Sequence, residues 1–203
     1  MKDIILFGVG GHSKIVTDMA EENGYNVVAY IAMSGDSKVH LGKPVYKNVE
    51  DIKNYSKYNY FIAIGSNQMR KNIVTKYPNL QYINIIHKSA IISKYADIGF
   101  GNLIMPNVVI NAFATIGNQC IINTCAVVEH DCTIANYCHI SVKTALAGTV
   151  TVGEGVFFGV GSTAKNNVCV GEWATIGAGA VVVKNLQGNK IYVGCPAKEL
   201  IKN

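Results

Sequence analysis

The second half of the chain carries a six-residue repeat that few folds can accommodate. An apolar residue recurs at every sixth position, without exception over sixteen positions. These positions are Ile92, Ile98, Ile104, Ile110, Ile116, Ile122, Val128, Ile134, Ile140, Leu146, Val152, Phe158, Ala164, Val170, Ile176 and Val182. A helix of period 3.6 or a strand of period 2 cannot keep this phase. The repeat therefore predicts a parallel β-helix, in which short strands joined by tight turns stack coil upon coil.

A second position of the repeat, four residues after the first, is occupied mostly by small or β-branched residues. Cys120, Cys132 and Cys138 fall in this position, and we expect them to be buried core spacers, because a thiol in a dry core is a poor nucleophile and metal ligand. His130 and His139 fall elsewhere in the repeat and are predicted to point outward.

Other features of the repeat concern its turns and its acids. Glycines that directly follow the apolar position, such as Gly117 and Gly153, are predicted to mark sharp bends. Glu129 is interpreted as an ordinary surface carboxylate that projects like Asp131 from an extended strand.

The first 86 residues follow a different pattern, in which apolar strand-like segments alternate with helical ones. The segments are 3–11, 13–23, 26–31, 58–66, 68–77 and 80–86. This order predicts a small Rossmann-like βαβ domain with a parallel sheet, whose binding edge lies at the strand C-terminal ends. We therefore predict two domains, 1–86 and 87–203, the second including a C-terminal tail. The run GVGGHS follows a strand and opens a helix, which suits an anion at a helix N-terminus.

Composition narrows the function classes. The net charge of +5 comes from scattered lysines without a basic run, which disfavours nucleic-acid binding and suits anionic small molecules such as nucleotide sugars or coenzyme A. Six cysteines are too few for a disulfide scaffold. The start of the chain lacks signal-peptide character and no apolar run approaches a membrane span, so a cytoplasmic protein is expected.

The combination of motifs resembles a known enzyme family. The motifs are, in chain order, FGVGGHSK, FIAIGSNQMRKNI, NIIHKSAIIS, IGNQCI, VVEHDC, CHIS, VGEGVF, IGAGAV and VGCPAKEL. Together they are similar to the sialic-acid O-acetyltransferases and bacillosamine-pathway N-acetyltransferases, which are hexapeptide-repeat acyltransferases. The resemblance implies a left-handed β-helix, a homotrimer, acetyl-CoA between adjacent β-helices and a nucleotide sugar held by the N-terminal domain.

The resemblance also implies roles for residues of the repeat. His130 matches the general base, and Asp131 matches the carboxylate that makes this histidine more basic. His139 matches the residue at the thioester end of acetyl-CoA. Val160 and Ala178 match backbone and packing contacts to coenzyme A. No metal is implied.

In the first domain, the resemblance implies that Gly10, Gly11 and His12 contact the nucleotide sugar, with Gly65 and Arg70 nearby. Lys165 and Lys184 either face coenzyme phosphates or are solvated surface lysines.

One departure from the family concerns the end of the second strand. The nucleotide-sugar enzymes carry an acidic pair there, whereas this chain has Ala32 and Met33, with Asp36 as a candidate replacement from the following loop.

The leading hypothesis is an acetyl-CoA-dependent N-acetyltransferase that acts on the 4-amino group of a UDP-4-amino-4,6-dideoxy sugar for surface glycan biosynthesis. The alternative within the family is sialic acid O-acetylation, which the missing acidic pair favours somewhat. A metal-dependent carbonic anhydrase on the same helix needs three converging imidazoles, and a structural solenoid needs a regular polar array, so both fit the repeat poorly. A cysteine acyl-enzyme at Cys125 or Cys195 is the remaining alternative.

Overall fold

A computed structural model describes residues 2–201 of the chain. The chain divides into two compact units, the first ending at Ile86 and the second beginning at His87. Within the described residues, no helix combines the length and apolar character that crossing a membrane requires.

The first unit is an α/β domain built on a six-stranded sheet. Its elements are β1 (Lys2–Phe7), α1 (Gly11–Glu22), β2 (Tyr25–Ile31), β3 (Val39–His40), β4 (Lys43–Tyr46), β5 (Asn59–Ile62), α2 (Asn67–Lys76), β6 (Gln81–Tyr82) and β7 (Ile85–Ile86), with 3-10 turns at Val49–Asp51 and Tyr55–Lys57. The sheet order is β3-β4-β2-β1-β5-β6, and every pair is parallel except β3 with β4. The predicted βαβ order is therefore observed. The β3–β4 hairpin was not predicted, because its strands are short and β4 contains Pro44.

Strand β1 lies in the centre of the sheet, where it is buried and aligns the loops that follow its neighbours. Ile4, Ile5 and Leu6 are fully buried, as expected for a parallel strand covered on both faces. Because β2 and β5 flank β1 and run parallel to it, the loops after these three strands meet at one edge of the sheet.

The second unit is a parallel β-helix. Sixteen two-residue strands recur every six residues, beginning with β8 (Ile91–Ile92), β9 (Asp97–Ile98) and β10 (Leu103–Ile104). The series continues through β11 (Val109–Ile110), β12 (Thr115–Ile116), β13 (Ile121–Ile122), β14 (Val127–Val128), β15 (Thr133–Ile134), β16 (His139–Ile140), β17 (Ala145–Leu146), β18 (Thr151–Val152), β19 (Phe157–Phe158), β20 (Thr163–Ala164), β21 (Cys169–Val170), β22 (Thr175–Ile176) and β23 (Val181–Val182). Strands β24 (Ile191–Val193) and β25 (Lys198–Glu199) follow.

Each strand from β8 to β20 pairs with the strand 18 residues further along, so that one coil comprises three hexads. Val109, for example, pairs with Val127, which pairs in turn with Ala145. The second residue of every strand from β8 to β23 is the apolar residue that the repeat singled out. The predicted β-helix and its phase are therefore confirmed.

The small core position is also confirmed. Cys120, Cys132 and Cys138 are at most 1% exposed, and each thiol lies 3.1 Å from a backbone carbonyl oxygen that accepts from it. Burial raises the pKa of the Cys132 thiol, which keeps it protonated and unreactive at neutral pH.

The expectation that glycines after the apolar position mark sharp bends is wrong. Left-handed backbone lies two residues later, for example at Phe113 and Asp131. Gly117 and Gly153 are instead required by close stacking, because an added Cβ would lie 2.7 Å from the Asn136 Oδ1 and 2.6 Å from the backbone nitrogen of Glu172, respectively, both on the next coil.

Candidate active site

His130 and Asp131 form an exposed pair on the turn between β14 and β15. The His130 Nδ1 lies 2.7 Å from the Asp131 Oδ2, and the two side chains are 60% and 51% exposed. A carboxylate only accepts hydrogen bonds, so in the neutral ring Nδ1 carries the proton and Nε2 keeps its lone pair. An exposed pair of this kind adds little to stability, but it fixes the ring and leaves Nε2 able to take a proton.

Backbone hydrogen bonds from the coils on either side hold this turn. Asp131 has a φ of 59°, and its N–H donates to the Ala112 carbonyl at 3.1 Å. The His130 carbonyl accepts from the Thr149 N–H at 2.9 Å. The expectation that Asp131 projects from an extended strand is thus wrong, because the left-handed turn folds its carboxylate back onto the imidazole. Glu129 accepts from the His130 N–H at 3.3 Å.

Gly148 makes room for the imidazole. A Cβ placed on this glycine would lie 2.6 Å from both Cε1 and Nε2 of His130, so a larger residue would displace the ring. Sequence reasoning missed Gly148. A usable signal was present, since Gly148 lies 18 residues after His130, at the same turn of the next coil.

A shallow groove of about 450 Å³ adjoins His130 and extends over the next two coils. Its lining residues are Glu129, His130, Ala147, Gly148, Thr149, Asn166 and Asn167. The Thr149 hydroxyl donates to the Gly148 carbonyl at 2.6 Å and also contacts the Asn167 side chain, so this wall of the groove is polar. The groove leaves the His130 ring accessible to a ligand from the side of Gly148.

His139 does not line this groove. Its side chain is only 9% exposed, with Nε2 3.1 Å from the Asn123 Nδ2 and its ring edge-on to Phe157 at 5.2 Å. Ile121 and Phe157 occupy the matching positions on the coils before and after it. His139 thus points outward, as predicted, but it is buried and not exposed, because its column of outward-pointing side chains is apolar and packed.

Val160 and Ala178 lie on another column of turns. The Gly179 N–H donates to the Val160 carbonyl at 2.9 Å, which places Ala178 on the coil after Val160. Both residues are exposed, as are Lys165 and Lys184. Their contact with coenzyme A stays a prediction.

The first unit contains a cavity of about 290 Å³ where the loops after β1, β2 and β5 meet. Its lining residues are Phe7, Gly8, Val9, Gly10, Gly11, His12, Ile31, Ala32, Met33, Ser34, Ala63, Ile64, Gly65, Met69 and Ile73. The structure therefore brings together Gly10, Gly11, His12 and Gly65 around one cavity. Gly10 is the N-cap of α1, so the first turn of that helix opens beside the cavity.

His12 is the titratable residue in the cavity lining. Burial lowers its pKa, and the positive charge of Arg70 lowers it further, so the ring is neutral at pH 7. Within residues 2–201, its Nε2 is buried without a hydrogen-bond partner. A polar ligand in the cavity would satisfy this atom.

Arg70 lies behind the cavity lining. It is 1% exposed, and Nη1 donates to the carbonyls of Gly65 at 2.9 Å and Ile64 at 3.2 Å, while Nη2 donates to the Asn67 Oδ1 at 2.9 Å. This geometry shows how Arg70 shapes the loop after β5. A direct contact with the nucleotide sugar stays a prediction.

Two further residues hold the glycine loop and escaped sequence reasoning. The Ser13 hydroxyl donates to the Gly10 carbonyl at 2.6 Å, so its oxygen accepts from the His40 Nε2 at 2.9 Å. This bond attaches the β3–β4 hairpin to the first turn of α1. The predicted replacement acid, Asp36, pairs with Lys47 at 3.4 Å and does not line the cavity.

Comparison with known proteins places both units in described families. Residues 3–77 match the PglD N-terminal domain, and residues 95–130 match the bacterial transferase hexapeptide (six repeats). A mutant of perosamine N-acetyltransferase from Caulobacter crescentus, crystallised with CoA and GDP-perosamine, is 34% identical, with 100% of this chain and 98% of that chain covered and a TM-score of 0.94. The acetyltransferase domain of PglB from Neisseria gonorrhoeae, in complex with acetyl coenzyme A, is 29% identical, with 98% and 99% covered and a TM-score of 0.89.

A curated relative matches more locally. An uncharacterised protein of Acanthamoeba polyphaga mimivirus is 32% identical over 87 residues, which are 43% of this chain and 18% of the length of that protein.

Fold, motifs and solved relatives together define the class as hexapeptide-repeat acyltransferases. The chain belongs to the sugar acetyltransferases of this class that carry a PglD N-terminal domain. The predictions of an α/β domain followed by a left-handed β-helix, of an acetyltransferase, and of acetyl-CoA as the family's cosubstrate are confirmed.

Proposed function

We propose that the protein transfers the acetyl group of acetyl-CoA to the 4-amino group of a UDP-linked 4-amino-4,6-dideoxy sugar, for surface glycan biosynthesis. The observation that carries this proposal is the His130–Asp131 pair, with Nε2 open beside Gly148 in a groove that extends over the next two coils. The perosamine and PglB relatives, whose ligands include CoA, acetyl-CoA and an amino-sugar nucleotide, support the same reaction class.

His130 would act as the general base. As the sugar nitrogen attacks the thioester carbon, Nε2 takes the proton that the nitrogen loses, and Asp131 stabilises the resulting imidazolium. The tetrahedral intermediate then collapses with cleavage of the C–S bond. The imidazolium returns the proton to the departing thiolate, which yields the amide and free CoA. Base catalysis of this type contributes about 10²- to 10⁴-fold to rate.

The first unit would hold the nucleotide. The cavity offers the glycine loop and the first turn of α1 to the diphosphate, and the Nε2 of His12 to a phosphate or sugar oxygen. A neutral His12 ring can donate one hydrogen bond to such an oxygen.

The remaining parts of the proposal concern assembly and compartment. We propose a cytoplasmic homotrimer with acetyl-CoA between adjacent β-helices, its thioester end near His139 and its further contacts at Val160 and Ala178. The exposure of Val160 and Ala178 on consecutive coils supports a contact surface there.

Release of free thiol from acetyl-CoA with a UDP-4-amino-4,6-dideoxy sugar tests the mechanism. His130→Ala should lower turnover about 10²-fold or more, because the attacking amine loses its proton acceptor. The Cys125→Ala, Cys195→Ala double variant is the matched control and should keep most activity. Near-normal turnover of a folded His130→Ala variant, or loss of activity in the cysteine variant, would overturn the assignment of the base.

A further inference from the structure

Two exposed methionines face the cavity of the first unit. Of the four methionines between residues 2 and 201, Met19 and Met105 are 2% and 4% exposed and belong to the core. Met33 and Met69 are 43% and 44% exposed, and both line the cavity. Large apolar side chains left partly in water at a cavity are typical of ligand-binding surfaces.

The topology places these two methionines on opposite sides of the glycine loop. Met33 follows β2, and Met69 lies in the first turn of α2, which follows β5. Strand β1 lies between β2 and β5 and ends in the loop Gly8–Gly11. Two flexible thioethers therefore line the cavity on either side of the glycine loop.

The residues that line the cavity favour a ligand group that is flat and weakly polar. The residues that line the cavity in the described part of the chain include no aspartate or glutamate, and its walls are the apolar side chains of Ile31, Ala32, Ala63 and Ile64. Methionine sulfur packs favourably against aromatic rings and adapts to their position. Guanine presents adjacent N–H donors that a carboxylate satisfies well, and this cavity offers none.

We propose that Met33 and Met69 determine nucleotide specificity by holding the nucleobase between their side chains, and that the base is a pyrimidine of the uracil or thymine type. This inference rests on the proposed function, because it assumes a nucleotide-linked acceptor. It explains the departure at position 33, where an apolar residue stands in place of the family's acid: the base is held by its faces and not by a carboxylate at its edge.

The first test is a direct readout of contact. With methionine methyl groups labelled by ¹³C, addition of UDP to the full chain should shift the methyl resonances of Met33 and Met69 through the ring current of the base. The resonances of Met19 and Met105 are internal controls and should stay in place. Binding of UDP without a shift at Met33 and Met69 would refute the methionine contacts.

The second test measures affinity by titration calorimetry with UDP, dTDP and GDP. Met33→Ala and Met69→Ala should each weaken UDP and dTDP binding roughly 2- to 10-fold. Met33→Leu should retain more affinity than Met33→Ala because it keeps most of the apolar contact. Ile15→Ala is the matched control, since Ile15 is 47% exposed on α1 and does not line the cavity.

The outcomes separate this inference from the function on which it rests. If the wild-type protein binds UDP but the alanine variants bind it equally well, the methionine inference fails and the proposed function stands. Tighter wild-type binding of GDP than of UDP and dTDP would refute the pyrimidine assignment. If the wild-type protein binds none of the three nucleotides, the proposed nucleotide-linked acceptor fails as well.

Discussion

The two units of this chain place functional side chains in different ways. In the β-helix, the period of six fixes which residues point into the core, and a functional side chain is an exception on an otherwise regular turn. His130 and Asp131 are such an exception in their side chains, whereas the backbone bonds that join their turn to Ala112 and Thr149 recur from turn to turn along the β-helix. In the α/β unit, the sheet fixes only where loops meet, and side chains such as Arg70 and Ser13 shape those loops individually. Regular scaffolds thus position a site through repetition, whereas open sheets position it through specific side-chain bonds.

The largest expected effect tests whether the neighbouring coil positions the proposed general base, His130. Gly148→Ala should lower the rate of acetyl transfer by about 10²-fold or more. The added Cβ would lie 2.6 Å from the present position of the His130 ring, so the ring would have to move. Turnover and thermal unfolding are the measurements. If the effect acts through the ring, the Gly148→Ala, His130→Ala double variant will be no slower than His130→Ala alone. An additive loss would show that Gly148 acts independently of His130.

The next prediction contrasts an inward and an outward position of the same repeat. Ile140 is fully buried, so Ile140→Ala should cost about 2–5 kcal/mol of the second unit's stability through lost burial and a cavity. Ile91→Ala, at a residue that is 67% exposed, should change stability by less than about 0.5 kcal/mol. Denaturant unfolding monitors both variants. Equal effects would contradict the assigned phase of the repeat.

A smaller effect is expected for the loop after β5. Arg70→Met should destabilise the first unit by about 2 kcal/mol, because the carbonyls of Ile64 and Gly65 lose a charged donor. The affinity for the nucleotide should also fall, because Ile64 and Gly65 line the cavity. Unfolding and UDP titration measure the two effects. Unchanged stability with weakened binding would instead indicate direct contact between Arg70 and the ligand.

The smallest effect concerns pH. The pKa of His12 is lowered in the folded protein, so lowering the pH protonates the ring only at acidic values, and the new charge favours an anionic diphosphate. UDP binding should therefore tighten by up to several-fold as the pH falls from about 8 into the acidic range. His12→Asn should remove this part of the pH dependence. Identical profiles for the two proteins would exclude His12 from the phosphate or sugar contact.

The difference between the two units also explains which parts of the fold and the site could be predicted from the sequence. The period alone located Ile140 and Cys138 in the core, because every coil repeats the same environment. It did not predict the burial of His139, since that depends on Ile121 and Phe157, which lie 18 residues away on the neighbouring coils. The left-handed turn at Asp131 recurs every six residues, but the residue types at this position of the repeat do not reveal it. In the first unit the motif GVGGHS indicated the cavity. The roles of Ser13 and His40 could not be predicted, because their bond joins residues 27 positions apart through a hairpin that the sequence pattern did not reveal.

The central claim is acetyl transfer to an amine on a nucleotide-linked sugar. The most direct measurement is thiol release from acetyl-CoA with UDP-, dTDP- and GDP-linked 4-amino sugars, beside free and CMP-activated sialic acid. We expect release with an amino sugar, fastest with a UDP or dTDP carrier, and an amide product by mass spectrometry. Release with a sialic acid only would contradict acetyl transfer to an amine and assign the protein to O-acetylation.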